Sequence, residues 1–245
     1  YCLVAPSQKL EAFSRILEVT PHEGVIAFMQ TKQATLELAE ALVARGHKAA
    51  PLNGDVPQRE RERTVERLKN GQLDILVATD VAARGLDVDR ISHVVNFEIP
   101  HDVEAYVHRI GRTGRAGRNG EAILFVAPRE MRVVKMLERA TRQKIAPLDP
   151  PSADVLNRHR KDSFKARVKG VLGTAKLSTF RELMAECHEE SGADPLDIAA
   201  ALAHLLQGET PLLVTALERV QERGFENRSS AAGPVRFRRS SSGPE

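Results

Sequence analysis

Between residues 1 and about 142, short and nearly unbroken apolar runs alternate with longer stretches whose apolar residues recur at helical period, and this restricts the fold more than any other feature. The runs fall at 25–30, 49–52, 75–78, 93–97 and 122–126. A strand with one wet face alternates apolar with polar residues. A continuous run instead fits a strand covered on both faces, as in a parallel sheet wrapped by helices. Between the runs, residues 33–45 put Ala34, Leu38, Ala41 and Leu42 on one side and close on Gly46 just past Arg45, the composition of a helix end. Residues 59–70 repeat the pattern, with Val65 and Leu68 turned inward and Gly71 as the stop. The expectation is an α/β fold: a three-layer parallel sheet with helices on both faces. Such a sheet carries its working loops at the carboxyl ends of its strands. Thr31, Asn53-Gly54-Asp55, Thr79 and Arg84 each follow a run, so they are expected along one edge.

The chemistry is densest in residues 106–115, Tyr-Val-His-Arg-Ile-Gly-Arg-Thr-Gly-Arg. Arg109, Arg112 and Arg115 are spaced by three, with Gly111 and Gly114 between them and no acidic residue. A guanidinium is a planar, permanently charged fork that matches phosphate oxygens two at a time. The glycines remove side chains that would hold a ligand away. With nothing nearby in sequence to neutralise them, Arg112 and Arg115 are expected to present free charge. A solvated basic loop is the alternative, but it would more often mix Lys with Arg and keep no fixed glycine spacing.

Residues 108–115 resemble the last conserved motif of the DEAD-box RNA helicases. Upstream, Ile75-Leu76-Val77-Ala78-Thr79-Asp80-Val81-Ala82-Ala83-Arg84-Gly85-Leu86-Asp87 is similar to the preceding motif of that family. Asn53-Gly54-Asp55 with Gln58 and Arg61 resembles the one before it, and Val25-Ile26-Ala27-Phe28 with Thr31-Lys32 the first motif of the family's second RecA-like domain. Four motifs in order are far more specific than one. The resemblance implies that Arg112 and Arg115 act as arginine fingers on the γ-phosphate of ATP. It further implies that Asp87, beside Gly85, accepts a hydrogen bond from the ATP ribose, and that His108 and Arg109 support interdomain contacts around that site. On the RNA side it implies that Thr31, Gly54, Gln58, Arg61, Thr79 and Arg84 contact the sugar-phosphate backbone. These are hydroxyls, amides and guanidiniums with no arrangement for reading base edges, so binding should be largely independent of sequence. Two local departures are minor: Asn53 stands where the family often has His, and Asp80 where Asp or Ser is common.

ATP hydrolysis also needs a phosphate cradle, a carboxylate that holds Mg2+ and a positioned water. No Gly-x-x-x-x-Gly-Lys-Ser/Thr run occurs, nor anything like Asp-Glu-Ala-Asp. The chain alone is therefore expected to be inactive, with ATP and Mg2+ held mainly by an N-terminal RecA-like domain of the same protein. Two rivals stand beside the helicase reading: a catalytically silent RNA-binding or scaffold protein that keeps the fold, and a related DNA helicase or repair protein.

Composition permits this reading without demanding it. A net charge of +3 and a pI near 9.0 are mildly basic, and 42% hydrophobic content in 245 residues supports one ordinary domain and a smaller one. Cys2 and Cys187 are far apart and in no metal-like spacing, so neither a disulfide framework nor a metal site is expected. No run approaches the ~18 apolar residues of a membrane span, and the expected setting is cytoplasmic with no membrane partner. Pro147, Pro150 and Pro151 break the periodicity and mark a boundary between 1–146, the α/β domain, and 152–208, an all-helical module.

In that module, 154–172 carries Phe164, Val168, Val171 and Leu172 at helical spacing, and 178–190 opens with a capping-box arrangement at Ser178 and Glu182. Asp194 caps a third helix with Pro195 in its first position. Three such helices would form a small core, and the module resembles the dimerisation module of certain bacterial DEAD-box helicases. A homodimer through Leu202, Leu205 and Leu206 is expected, a bundle packed on its own α/β domain being the alternative. Residues 209–245 read as a linker and basic tail, or as the start of a further RNA-binding domain, with five arginines between Arg223 and Arg239 and a stacking candidate in Phe237.

Overall fold

The computed structural model describes residues 1–115, 117–173, 177–207 and 211–215. Its first part runs β1 (Cys2–Leu3), α1 (Lys9–Val19), β2 (Gly24–Met29), α2 (Lys32–Ala44), β3 (Ala49–Leu52), α3 (Gln58–Lys69), β4 (Ile75–Thr79), α4 (Asp80–Ala83), β5 (Ile91–Asn96), α5 (Val103–Ile110), β6 (Glu121–Val126) and α6 (Met131–Thr141). The strands form one sheet in the order β1-β6-β5-β2-β4-β3, and every pairing is parallel.

The unbroken apolar runs of β2 and β4 are explained by cover on both sides, since every residue of each is buried. Successive side chains point to opposite faces of a strand. Val25, Ala27, Met29, Ile75 and Val77 accordingly pack with Phe13 and Ile16 of α1 and Leu38 and Leu42 of α2. Ile26, Phe28, Leu76 and Ala78 pack on the other side with Leu68 of α3 and with Ala82 and Ala83 of α4. Burial of each large aliphatic or aromatic side chain is worth about 1.5–3 kcal/mol relative to exposure. A third cluster joins Tyr106 of α5 and Leu124 of β6 to Val134 and Leu137 of α6.

The expected strands all form, with ends shifted by at most two residues. Within α2, Thr35 and Ala39 rather than Ala41 complete the inner face, because Asn53 reaches across to donate to Thr35 Oγ1 at 3.0 Å. Two-residue β1, which pairs with the far edge of β6, is too short to leave a periodic signal.

The helical part comprises α7 (Ala153–Leu172), α8 (Ser178–Ser191) and α9 (Pro195–Gln207). Asp194 caps α9 as its sequence implies, its carboxylate accepting from the Leu196 N–H at 2.7 Å. The capping box at Ser178 does not form: Ser178 is the first helical residue, behind Leu177, which has no side-chain capping bond.

Nor do the three helices share a core. α7 turns to the sheet domain, burying Leu156 and setting Arg160 on Glu18 of α1 with bonds of 2.6 and 2.8 Å. α8 and α9 pack on each other as a hairpin in which no residue is buried. The boundary segment is tied down, with the Tyr1 amino group donating to Ala146 O at 2.6 Å and Leu148 N to Tyr1 O at 2.7 Å. Pro211–Thr215 return to α1 and α7. The tail arginines and Phe237 lie outside the described residues. Among those described, no helix is long and apolar enough to cross a membrane.

Candidate composite site for nucleotide and nucleic acid

The expected edge is present, because β2, β4 and β3 are neighbours and their carboxyl ends carry the predicted residues together. Thr31 caps α2, its hydroxyl accepting from Ala34 N–H at 3.1 Å while the residue stays exposed. Asn53 is buried and both donates, to Thr35 Oγ1, and accepts, from Asp55 N–H at 3.0 Å, which fixes the turn that displays Gly54. Lys32 and Asp55 form an ion pair that ties the loop after β2 to the loop after β3. Gln58 begins α3 and donates to Glu62 at 2.7 Å; Arg61, one turn on, donates to the Arg84 carbonyl at 3.0 Å. Thr79 is the last residue of β4 and is largely covered. Five of the six RNA-side residues thus stand at or near the surface, and Thr79 lies beneath them. Gly85 has φ +71°, a left-handed conformation that admits glycine without strain and turns the chain from Arg84 toward Asp87.

The arginine segment does not present three equivalent charges. Arg109 sits in the last turn of α5 and is 1% exposed. Its Nε and Nη2 donate to the two oxygens of Asp80 at 2.6 and 2.8 Å, and its Nη1 donates to Asn96 Oδ1 at 3.2 Å and Glu98 O at 2.9 Å. The Phe28 ring lies 5.0 Å from its guanidinium carbon. Every face of the fork is occupied, so Arg109 holds α5 against the start of α4 and the end of β5 and is unavailable to a ligand. This corrects the reading of an unneutralised trio: Asp80, 29 residues earlier, supplies the acid that the motif lacks.

Gly111 then ends α5, and Arg112 and Arg115 leave the helical rotation that turned Arg109 inward. Gly114 follows at φ +68°. Arg112 donates only to carbonyls, His108 O at 3.3 Å and Leu86 O at 3.2 Å, and among the described residues no carboxylate lies within ion-pair distance of it. Burial first, and the adjacent Arg115 second, lower its pKa from the usual arginine value, with Asp87 opposing. Arg112 is an electrostatic position short of an anion. Arg115 departs from the expectation as Arg109 does, since its Nη1 donates to Asp87 Oδ1 at 2.7 Å. That pair is open to water, Asp87 being 83% exposed, so it is worth no more than about 1 kcal/mol and a stronger anion can displace it.

His108 projects outward with Glu104 4.0 Å away and is no core histidine. A cleft of about 530 Å³ runs beside these groups, lined by Arg84, His101, Asp102, His108 and Arg112 among others, with Asp80 and Phe28 toward its floor. It is lined both by Arg84 of the RNA-side edge and by Arg112, whose guanidinium is bonded only to carbonyls. Among the described residues no group of three or more His, Cys, Asp or Glu side chains is placed to hold a metal ion. The guanidiniums of this donor set fit phosphate.

Two family profiles divide the chain as the fold does: residues 8–117 match the helicase conserved C-terminal domain, and residues 151–217 the RNA helicase DeaD dimerization domain. Among solved structures, the E. coli DEAD-box protein SrmB bound to regulator of ribonuclease activity A is 36% identical with a TM-score of 0.56; the match covers 60% of this chain and 87% of that one. The chain belongs to the DEAD-box family. Over 208 residues, 85% of the chain, it is 50% identical to the ATP-dependent RNA helicase DeaD of Mycobacterium tuberculosis, and it spans 37% of that protein's length. Dbp5 of S. cerevisiae, solved bound to RNA and ADP BeF3, is 28% identical with a TM-score of 0.57, over 70% of this chain and 44% of that one. The six-stranded unit is accordingly a RecA-like helicase C-terminal domain.

Sequence reasoning missed the network under Arg109. Asp80 stood inside a recognised motif, but nothing in its spacing marks it as the partner of a residue 29 positions away.

Proposed function

We propose that this chain is the C-terminal part of an ATP-dependent RNA helicase. With an N-terminal RecA-like domain it would complete the ATP site, bind one RNA strand along the β2–β4–β3 edge and unwind short duplexes. One observation carries the reading most: Arg112, without a carboxylate among the described residues, stands beside the exposed Arg115–Asp87 pair and lines one cleft with Arg84 of the RNA-side edge. Closure of a second domain over this face would bring an ATP γ-phosphate to Arg112 and draw Arg115 away from Asp87. Asp87, released, would be free to accept from the ribose. Guanidiniums at that position stabilise charge that develops on the transferred phosphoryl group, a contribution of ~10³ to 10⁵ in rate. Because the chain has neither a Gly-x-x-x-x-Gly-Lys-Ser/Thr run nor an Asp-Glu-Ala-Asp run, the phosphate cradle and the Mg2+ ligands are assigned to the other domain, and no step through Mg2+ is assigned here.

On the RNA edge, Thr31, the Gly54 backbone, Gln58, Arg61 and Arg84 would hold phosphates and sugars of one strand in a fixed path. The α8–α9 hairpin would dimerise the protein through the face that carries Leu202, Leu205 and Leu206. The family match to the DeaD dimerization domain supports this. The cytoplasm is the proposed location.

The test adds a DEAD-box N-terminal RecA-like domain, fused or in trans, and measures ATP turnover with and without RNA. RNA-stimulated turnover that falls by about 10³ or more in Arg115→Ala and in Arg112→Ala is expected. No stimulation with the parent chain would overturn the reading in favour of a silent RNA-binding scaffold. Stimulation by DNA equal to that by RNA would point to a DNA-directed relative.

A further inference from the structure

After α9 the described chain resumes at Pro211, already back against α1 and α7, and the carbonyls of Pro211, Leu212, Val214 and Thr215 and the N–H of Val214 are all held by side chains of those two helices. Asn157 of α7 pairs with Val214 twice, its Nδ2 donating to Val214 O at 3.1 Å and its Oδ1 accepting from Val214 N–H at 2.8 Å. Arg160 Nη1 donates to Pro211 O and Leu212 O, both at 3.3 Å. Arg15 of α1 donates from Nη2 to Thr215 O at 2.8 Å, while its Nε is fixed by Glu11 at 2.8 Å. Every bond received by 211–215 goes to its main chain. A side-chain amide that both donates to and accepts from one residue's backbone reproduces the pairing of a neighbouring strand. The receiving groove therefore fixes the path of the main chain whatever the side chains of the occupant. Along that path Pro211, Leu213, Val214 and Thr215 wall one side of a cavity of about 820 Å³, opposite Ser14, Glu18 and His47.

The anchors are themselves well seated. Arg15 is 4% exposed, and Arg160 forks onto both oxygens of Glu18. Leu156, one residue before Asn157, is buried against the same surface. The chain thus leaves the RecA-like domain through α7, forms the α8–α9 hairpin and returns to within hydrogen-bond distance of its starting point. We infer that residues 211–215 are a latch: they close the chain onto Asn157, Arg160 and Arg15, hold the α8–α9 hairpin to the RecA-like domain at both ends, and so present its apolar face in one fixed direction. The latch is intramolecular and stands whether or not the hairpin dimerises or the chain completes an ATP site.

The experiment measures the distance between nitroxide labels on Glu40→Cys of α2 and Glu189→Cys of α8 by double electron–electron resonance, in the full chain with Cys187→Ser. Both label positions are exposed. Cys2 is buried, and burial pushes its thiol up to about 12, so it stays unlabelled. Dilution with unlabelled protein isolates the intramolecular distance. A single narrow distribution is expected for the parent, and a broad or multimodal one for Asn157→Leu. Amide exchange across 212–215 should accelerate about tenfold, the effect of losing a bond pair of ordinary strength. Val214→Pro removes the donor from the strap side and leaves α1 and α7 intact, so it repeats the test should Asn157→Leu fail to fold. Distances and exchange that stay at parental values in a folded variant would overturn the latch, as would a broad distribution in the parent.

Discussion

The RecA-like domain and the α8–α9 hairpin are made of similar residues and reach opposite outcomes. β2 and β4 are apolar along their whole length and every residue is buried, because α1 and α2 cover one face of the sheet and α3 and α4 the other. α9 is richer in apolar residues than α3, yet none of its side chains is buried, and Leu205 is 75% exposed. A sheet with helices on both faces completes its own core. Two helices of 14 and 13 residues cover one stripe of each other and leave the rest to water. The first region buries its apolar residues within itself, whereas the second leaves most of its own in water. An apolar groove of about 410 Å³ remains between α8 and α9, lined by Phe180, Met184, Ile198 and Leu202 among others.

The strongest way to break this contrast is Leu202→Asp. A carboxylate placed in a dimer contact should weaken association by about 3 kcal/mol, roughly a hundredfold in Kd. Light scattering should then report half the parental mass at micromolar concentration, while thermal unfolding of the RecA-like domain stays where it was. An unchanged mass would remove α9 from the interface. A large fall in unfolding temperature would show that the hairpin supports the sheet after all.

How much of each region was legible in the sequence follows from the range of the forces that shape it. The strands and the inner faces of α2 and α3 are encoded by periodicity within a dozen residues, and Leu38, Leu42 and Leu68 fall where the pattern places them. Thr31, Gly54, Thr79 and Arg84 reach one edge because parallel topology puts every carboxyl end on the same side. The partners of the arginines were not legible. Arg109 and Arg112 differ only in which side of Gly111 they lie, and the acid that neutralises Arg109 comes from α4. The three-helix core failed for the same reason: Arg160 pairs with Glu18 across 142 residues and draws α7 away from α8 and α9. Local patterning names amphipathic faces without naming what covers them.

Within the RecA-like domain the same contrast of sealed and open groups recurs between two arginines. Arg109→Met removes one half of a pair whose other half, Asp80, is 30% exposed, so the loss is smaller than for a fully buried pair, about 2 kcal/mol. Arg115→Met should cost less than about 1 kcal/mol, because water already competes for the Asp87 pair. Urea midpoints of the two variants, measured side by side, check the ordering. Equal losses would mean that Asp80 and Asp87 sit in the same environment, contrary to the geometry.

The smallest effect expected is an acid one, and it too should separate the regions. His47 accepts a place between α1 and the end of α2, with its Nε2 3.3 Å from Ser14 Oγ; burial lowers its pKa, nearby His22 and Arg45 lower it further, and Glu18 opposes them. His93 in β5 is lowered chiefly by burial, with Glu121 opposing. A histidine whose folded pKa lies below its unfolded value favours the fold while both states are neutral. That contribution is fully present above the ordinary histidine pKa of about 6.5 and is lost as pH falls through the lowered folded values. Thermal unfolding of the RecA-like domain should therefore move down slightly as pH falls below about 6.5, and His47→Gln together with His93→Gln should flatten that dependence. Hairpin association at the same pH should hold, since α8 and α9 bury no residue of their own. If the acid-sensitive step were instead dissociation, with the domain's unfolding flat from pH 7.5 to 5.5 in the parent, burial of these two histidines would not be what couples the fold to protons.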